Sequence, residues 1–336
     1  MSDLASQYRA LTASAASWTA PGLGQFEVTG VDAHALVHRI TTADISLLPP
    51  GRFVHALFLR DDASILGRVT IYRFPEQLML LVDAAQREAV WEYLVARKRG
   101  NVRLRDISDD VAVVAVRGPA SVIRLARLLE PMPTEGGDVV SARLAGVDLF
   151  AARTTLDGPE GFDFYCRLRD RGSLEATLRS AAVVSAEEPA WQLFRAEWGV
   201  ARVGIEIDAE DTPVEAGLES LVAEGKGAPF PGETALVSRR RTGAIKRLAG
   251  FSIRGHDLPP VGATVRVGGH LVDRVRSVIE SPRVGIIGIT ALPTSTEAIG
   301  TPLVIEADGR SWTAEVARRP FVSRSTPPLA DAGAAG

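Results

Sequence analysis

A chain of 336 residues with 46% hydrophobic content is long enough for two or three domains, each with its own core. A net charge of -3, with arginine mixed among aspartate and glutamate, argues against a one-sided basic face and hence against a nucleic-acid partner. Cys166 is the only cysteine, which excludes an intrachain disulfide and a cysteine-built metal or iron–sulfur centre and points to a cytoplasmic setting.

The opening MSDLASQYRALTASAASW has neither the positive start nor the apolar run of a secretory signal, and no unbroken run of ~18 apolar residues offers a membrane span, so no membrane partner is expected. Next, QFEVTG alternates as a strand, Gly30 and Asp32 turn it, and Ala33, Leu36, Val37 and Ile40 recur at helical spacing to about Thr42. HALFLR, RVTIYRF and QLMLLVD read as an antiparallel sheet; Asp83 then caps a helix over 84–98 on which Val90, Tyr93 and Leu94 share a face. VRLRDIS opens a second round of the same theme, followed by VAVVAVRG, a helix near 121–129, VDLFAARTT, GFDFYCRL and a helix near 172–182. From about Lys246 short strands punctuated by glycine and proline (ATVRVGG, HLVDRVRSVI, VGIIGITAL, PLVIEA, SWTAEVA) predict a small barrel or sandwich. The closing STPPLADAGAAG predicts a disordered tail. The class is α+β, divided as 1–245, 246–324 and a tail at 325–336. His34 and His38 stand four apart on one helix but lack the glutamate of a zinc-protease motif, and no metal site is expected.

Three motifs fall in close order between Phe194 and Leu236: Arg195, Glu197 and Gly199; then Pro213, Glu215, Ala216, Gly217 and Leu218; then Lys226, Gly227, Phe230, Gly232, Ala235 and Leu236. In this order the chain resembles the aminomethyltransferase (glycine cleavage T protein) family and its folate-binding relatives. The resemblance extends to Gly24–Ile45, Val111–Ser121, Gly161–Asp163, Arg247–Ile253, Leu271–Leu292 and the segment ending at Val322. It implies a ring of α+β subdomains and a C-terminal β barrel around a channel that takes tetrahydrofolate. The acidic residue of the family's G-F-E strand binds the pterin edge; Asp163 holds that position here, one methylene shorter. Arg195 and Glu197, amid Trp191, Phe194 and Trp198, close a buried ion pair or line a pocket, and pocket lining is the expectation. Trp198 is expected to rebuild the pterin wall, and Arg195, Arg239, Arg240 and Arg241 compete for the folate's glutamyl carboxylates. Phe230, Pro231 and Gly232 are expected to turn into a strand.

The departures bear on chemistry. LLVDAAQREAVWEYL resembles the family segment that ends in its catalytic aspartate, and Val90 stands there; valine moves no proton. Asp83 and Glu88 are the acids left on or beside that helix and are the candidates for proton transfer. Gly67 and Arg68 replace a pair of aspartates, and Ala228 replaces the cysteine of relatives that maintain iron–sulfur enzymes. Two functions follow from the resemblance and its departures: a tetrahydrofolate-dependent methyl or methylene transferase, or demethylase, acting on a small molecule other than the glycine adduct; or a folate-binding sensor, chaperone or complex subunit without transfer chemistry, which leaves room for a protein partner.

Overall fold

The computed structural model describes residues 3–155, 158 and 160–327. The expected disorder of the tail concerns, from 328 onward, residues outside that set.

The first sheet runs in the order Arg52–Leu59, Ile65–Arg73, Gln77–Val82, Gly24–Thr29, Arg103–Asp106, antiparallel throughout. Alternate residues point to opposite faces of a strand. One face thus sends Phe26, Val28, Val69, Ile71, Leu80 and Val82 against helices Ala33–Ile40 and Arg87–Arg97, and Val90 and Leu94 complete this core with no exposed surface. VRLRDIS therefore closes the first sheet instead of opening the second, because Leu104 packs on the first core. Asp83 precedes a single turn of 3-10 helix, Ala84–Gln86, before the α-helix begins at Arg87; its carbonyl accepts from Gln86 N–H at 3.0 Å, but its side chain does not cap the turn.

The second sheet runs Val184–Ser185, Ala16–Thr19, Val111–Arg117, Gly161–Arg167, Val147–Thr154, Val139–Leu144, Leu129–Glu130. The run VAVVAVR is apolar on both faces because both are covered: Ala112, Val114 and Val116 face the core under Ser121–Leu125 and Arg171–Ser180, while Val113 and Ala115 face inward between the sheets. The amino-terminal segment, helix Leu4–Ala13 and strand Ala16–Thr19, belongs to this second sheet. The sheets meet through Phe53, Tyr72, Met79, Val113, Ala152 and Tyr165, where the two tyrosine rings cross at 64° and their hydroxyls bond.

The third sheet, Lys246 onward, is a curled half-barrel in the order His270–Arg274, Thr264–Val267, Pro302–Ala307, Arg310–Ala317, Lys246–Ile253, Gly285–Pro293, Ser277–Ser281. HLVDRVRSVI, expected as one strand, breaks at Val275 and Arg276. There the chain passes from one edge to the other, with Val275 N–H bonding Ala263 O at 2.7 Å and Arg276 N–H bonding Ile289 O at 2.9 Å. After Gly232 the chain enters helix Glu233–Thr242, not a strand: Gly232 sits at φ +79°, so close to Arg60 O that an added Cβ would lie 2.4 Å from it. No helix among the described residues is long and apolar enough to cross a membrane.

Candidate functional site

A cavity of about 380 Å³ opens where the inner faces of the first two sheets diverge, within the volume range of small-molecule pockets. Strand register builds its walls. On the first sheet His55 pairs with Thr70 and Thr70 with Leu81. One step on, the register that joins Val69 to Val82 places Arg68 beside Asp83, so His55, Thr70, Arg68 and Asp83 share the cavity face. His55 Nδ1 lies 3.0 Å from Thr70 Oγ1.

On the second sheet Trp18, Ala115 and Asp163 stand side by side on three successive strands. Asp163 Oδ1 lies 2.8 Å from Nη1 of Arg117, which is 3% exposed and also donates to the Phe162 carbonyl at 2.9 Å. Arg117 reaches across because its strand neighbour is Gly161. A Cβ there would lie 2.2 Å from the Val116 carbonyl and 2.9 Å from Arg117 Cδ. A carboxylate has about four lone-pair positions, so the pair with Arg117 leaves capacity for a ligand's donors.

The third wall is helix Glu188–Glu197. Residues three and four apart share a face, and Glu188, Trp191, Gln192 and Arg195 all line the cavity. Trp191 stacks on Trp18 at 4.6 Å with the rings 7° apart, and Trp18 Nε1 donates to Glu188 Oε2 at 3.1 Å. Arg195 donates to Gln192 Oε1 at 3.1 Å and to Val200 O, and lies 3.5 Å from Glu206. The loop carrying Val200, Arg202, Val203 and Ile205 completes this side. It is fixed to the half-barrel by Arg276, whose side chain has no exposed surface and bonds the Glu206 carbonyl at 2.8 Å and Asp211 at 2.7 Å. A second cavity of about 450 Å³ shares Arg195 and Arg202 with the first and continues to the half-barrel strands at Ser277–Ile279 and Ile287–Ile289.

The structure brings Asp83, Asp163 and Arg195 to the cavity and leaves Glu88, Glu197, Trp198 and Arg240 out of its lining among the described residues. Glu88 is exposed: it lies two residues, about 200° of helix, before the fully buried Val90. Glu197 likewise follows Arg195 by about 200° and points the other way, into a buried cluster. There Tyr8 Oη, Ser281 Oγ and the Arg283 guanidinium all donate to a carboxylate with no exposed surface. Burial and that carboxylate push the Tyr8 phenol well above its ordinary range and keep it a donor. The expected pocket pair is thus one lining residue and one structural ion pair. Trp198 packs with Tyr8, Trp191 and Phe194 and against Gly158, and Arg240 sits 3.7 Å from Glu219 on a surface helix. Lys226 is 5% exposed and donates to the carbonyls of His38 and Thr41; burial pushes its ammonium down to about 8.

Arg117, Trp18, His55 and Gln86 are cavity residues that the motifs did not single out. Arg117 lies in the R-G-P segment at Val111–Ser121 to which the resemblance extends, but that segment carried no site role, and Trp18 lies in an amino-terminal segment whose pairing partner is remote.

The chain matches the family model of the GCVT N-terminal domain over residues 2–226 and that of the glycine cleavage T-protein C-terminal barrel domain over residues 246–323. It is 29% identical to the aminomethyltransferase of Symbiobacterium thermophilum over 95% of this chain and 89% of that protein. It is also 29% identical to the aminomethyltransferase of Geobacillus kaustophilus over 96% and 92%. The crystal structure of glycine cleavage system aminomethyltransferase T from Bartonella henselae shares the fold, with a TM-score of 0.87, 21% identity and coverage of 96% and 90%.

Proposed function

We propose, for a chain that belongs to the glycine cleavage T-protein family of folate-dependent aminomethyltransferases, that the cavity binds tetrahydrofolate and that the protein moves a methyl or methylene unit between it and a small molecule other than the glycine adduct. The contrast between Asp163 and Val90 carries this reading. A carboxylate held by a buried arginine faces the cavity where a pterin edge would present its donors, whereas the side chain at the family's proton-transfer position is an apolar group sealed in the first core.

The residues fit the cofactor. A cavity of this size, the Asp163 carboxylate at its wall and the flat Trp18 and Trp191 rings beside it suit a planar donor–acceptor ring, and Arg195 and Arg202 at the junction with the second cavity suit the carboxylates of a glutamyl tail. Bound there, tetrahydrofolate would supply the nitrogen that accepts or delivers the one-carbon unit, with one proton moving the opposite way. This chain's part is to orient the ring through Asp163 and Arg117 and to exclude water with the tryptophans. Asp83, on the cavity face, is the carboxylate in place to hold that proton, and His55 is a second titratable group on the same wall. A cytoplasmic setting belongs to the same proposal.

Val90 also favours a second reading, folate binding without transfer. Titration calorimetry with tetrahydrofolate and 5-methyltetrahydrofolate tests what both share: micromolar binding is expected, lost in Asp163→Ala, and no heat with either folate removes both readings. Incubating the folate-bound protein with small N-methylated amines, or with small aminomethyl compounds, and following 5-methyl- or 5,10-methylenetetrahydrofolate respectively by mass spectrometry then separates them, product supporting the transferase and none supporting the binder.

A further inference from the structure

The first-sheet wall of the cavity carries two opposite charges side by side. Strand Ile65–Arg73 pairs with strand Gln77–Val82, and the register that joins Val69 to Val82 sets Arg68 against Asp83 on the cavity face. Residues so placed have Cβ atoms roughly 4.5–5.5 Å apart. Both side chains are partly exposed and both line the cavity. Arg68 Nη1 lies 3.5 Å from the Ala201 carbonyl. A guanidinium has five donors in a fork matched to a carboxylate, so a contact with one carbonyl is compatible with gripping a ligand's two oxygens. Arg68 also stands where the family segment that this chain resembles carries an aspartate, so the charge of the wall is reversed at that position. An aspartate there would repel a carboxylate; an arginine attracts one. Asp163 belongs to the other wall, on the second sheet, where Arg117 holds it. A pterin edge bound at Asp163 engages that sheet and leaves the Arg68 and Asp83 wall to the second reactant.

We infer that Arg68 and Asp83 together select the substrate, and that it is a zwitterion: a small N-methylated amino acid whose carboxylate rests on Arg68 and whose ammonium rests on Asp83. This rests on the proposal that the cavity takes tetrahydrofolate and a one-carbon donor. Two adjoining groups of opposite sign on one small molecule answer two adjoining side chains of opposite sign, whereas a simple methylamine answers only Asp83 and a plain carboxylate only Arg68. The same contact sets Asp83 at the substrate's nitrogen, the place where a carboxylate can take up its proton. Arg68 is in this account a specificity residue that touches the substrate and takes no part in moving the proton.

The test titrates the full chain, loaded with tetrahydrofolate, with three probes of one size: N-methylalanine, N-methylalaninamide, which keeps the ammonium and neutralises the carboxylate, and 2-methoxypropionate, which keeps the carboxylate and lacks the ammonium. The wild-type protein is expected to bind N-methylalanine about tenfold more tightly than either analogue by calorimetry, the scale of one charge-assisted contact. In Arg68→Met, which keeps the apolar stem and removes the charge, N-methylalanine and its amide should bind within about twofold of each other. In Asp83→Asn it is instead the advantage over 2-methoxypropionate that should vanish. Tetrahydrofolate itself should bind Arg68→Met within about twofold of wild type. Three probes bound alike by the wild type, or no binding of N-methylalanine, overturns the inference without any variant, as does a preference over the amide that survives in Arg68→Met. A tenfold loss of tetrahydrofolate affinity in Arg68→Met would give that arginine to the folate's own carboxylates and also overturn it. If the wild type binds no tetrahydrofolate, the folate reading has failed and the inference with it; if it binds the folate but does not discriminate among the probes, only the role of Arg68 and Asp83 has.

Discussion

Helix Glu188–Glu197 carries two motif charges that serve different ends. Arg195 faces the cavity with Glu188, Trp191 and Gln192, whereas Glu197, on the opposite side, is sealed against Tyr8, Ser281 and Arg283 and so joins the amino-terminal helix to the half-barrel. The same division recurs elsewhere. Asp163 is a charge turned toward a ligand space, and Lys226 is a charge buried on the carbonyls of His38 and Thr41. A family motif thus mixes cavity-lining residues with residues that hold the subdomains together, and only geometry tells them apart.

Substitutions on either side of this division should behave differently. The largest effect is expected for Glu197→Ala, which leaves Arg283 buried and unpaired and should cost about 3–5 kcal/mol in urea unfolding. Its folded fraction should still bind tetrahydrofolate within about threefold of wild type, and a selective loss of binding would move Glu197 to the ligand side. Asp163→Asn should show the converse. Loss of a charge-assisted bond worth about 1.5–3 kcal/mol predicts a fall in folate affinity of roughly ten- to a hundredfold by calorimetry.

Lys226 sharpens the comparison through pH. Its folded value, about 8, lies below the ordinary lysine range, so between that value and its ordinary one the unfolded chain binds more protons and stability rises with pH. Below about pH 8 the ammonium is charged in both states and the burial cost is fully present. The gain should be at most about 1.4 kcal/mol per pH unit in that window, and Lys226→Met should flatten the slope in pH-resolved unfolding curves. The smallest effect is expected for Glu88→Ala: an exposed side chain outside the cavity lining should change neither stability by more than about 0.5 kcal/mol nor folate binding, and a large loss of turnover would return it to the proton-transfer role.

Much of the fold was legible because its signals are local. Alternation marked the strands, and a change of period marked the helix that begins at Arg87. Asp163 and Arg195 were legible from their motifs. Glu197 was misplaced because a two-residue spacing says nothing about facing until the pair is known to lie on a helix, where it means opposite sides. Arg117 escaped because its position depends on Gly161, 44 residues later in the chain and beside it only in the sheet. Trp18 escaped because the amino-terminal strand pairs with Val111–Arg117 across an entire intervening subdomain. Arg240 and Trp198 had the right chemistry for a folate tail and a pterin wall, but one sits on a surface helix and the other packs beneath the third wall of the cavity.

The central claim is that the Asp163 wall binds a folate, and titration of the wild-type chain and Asp163→Asn with tetrahydrofolate, at matched thermal stability, addresses it most directly. Micromolar, one-to-one binding by the wild type that weakens at least tenfold in the variant is the expected result. Equal binding by the two proteins, or none by the wild type, would contradict the account.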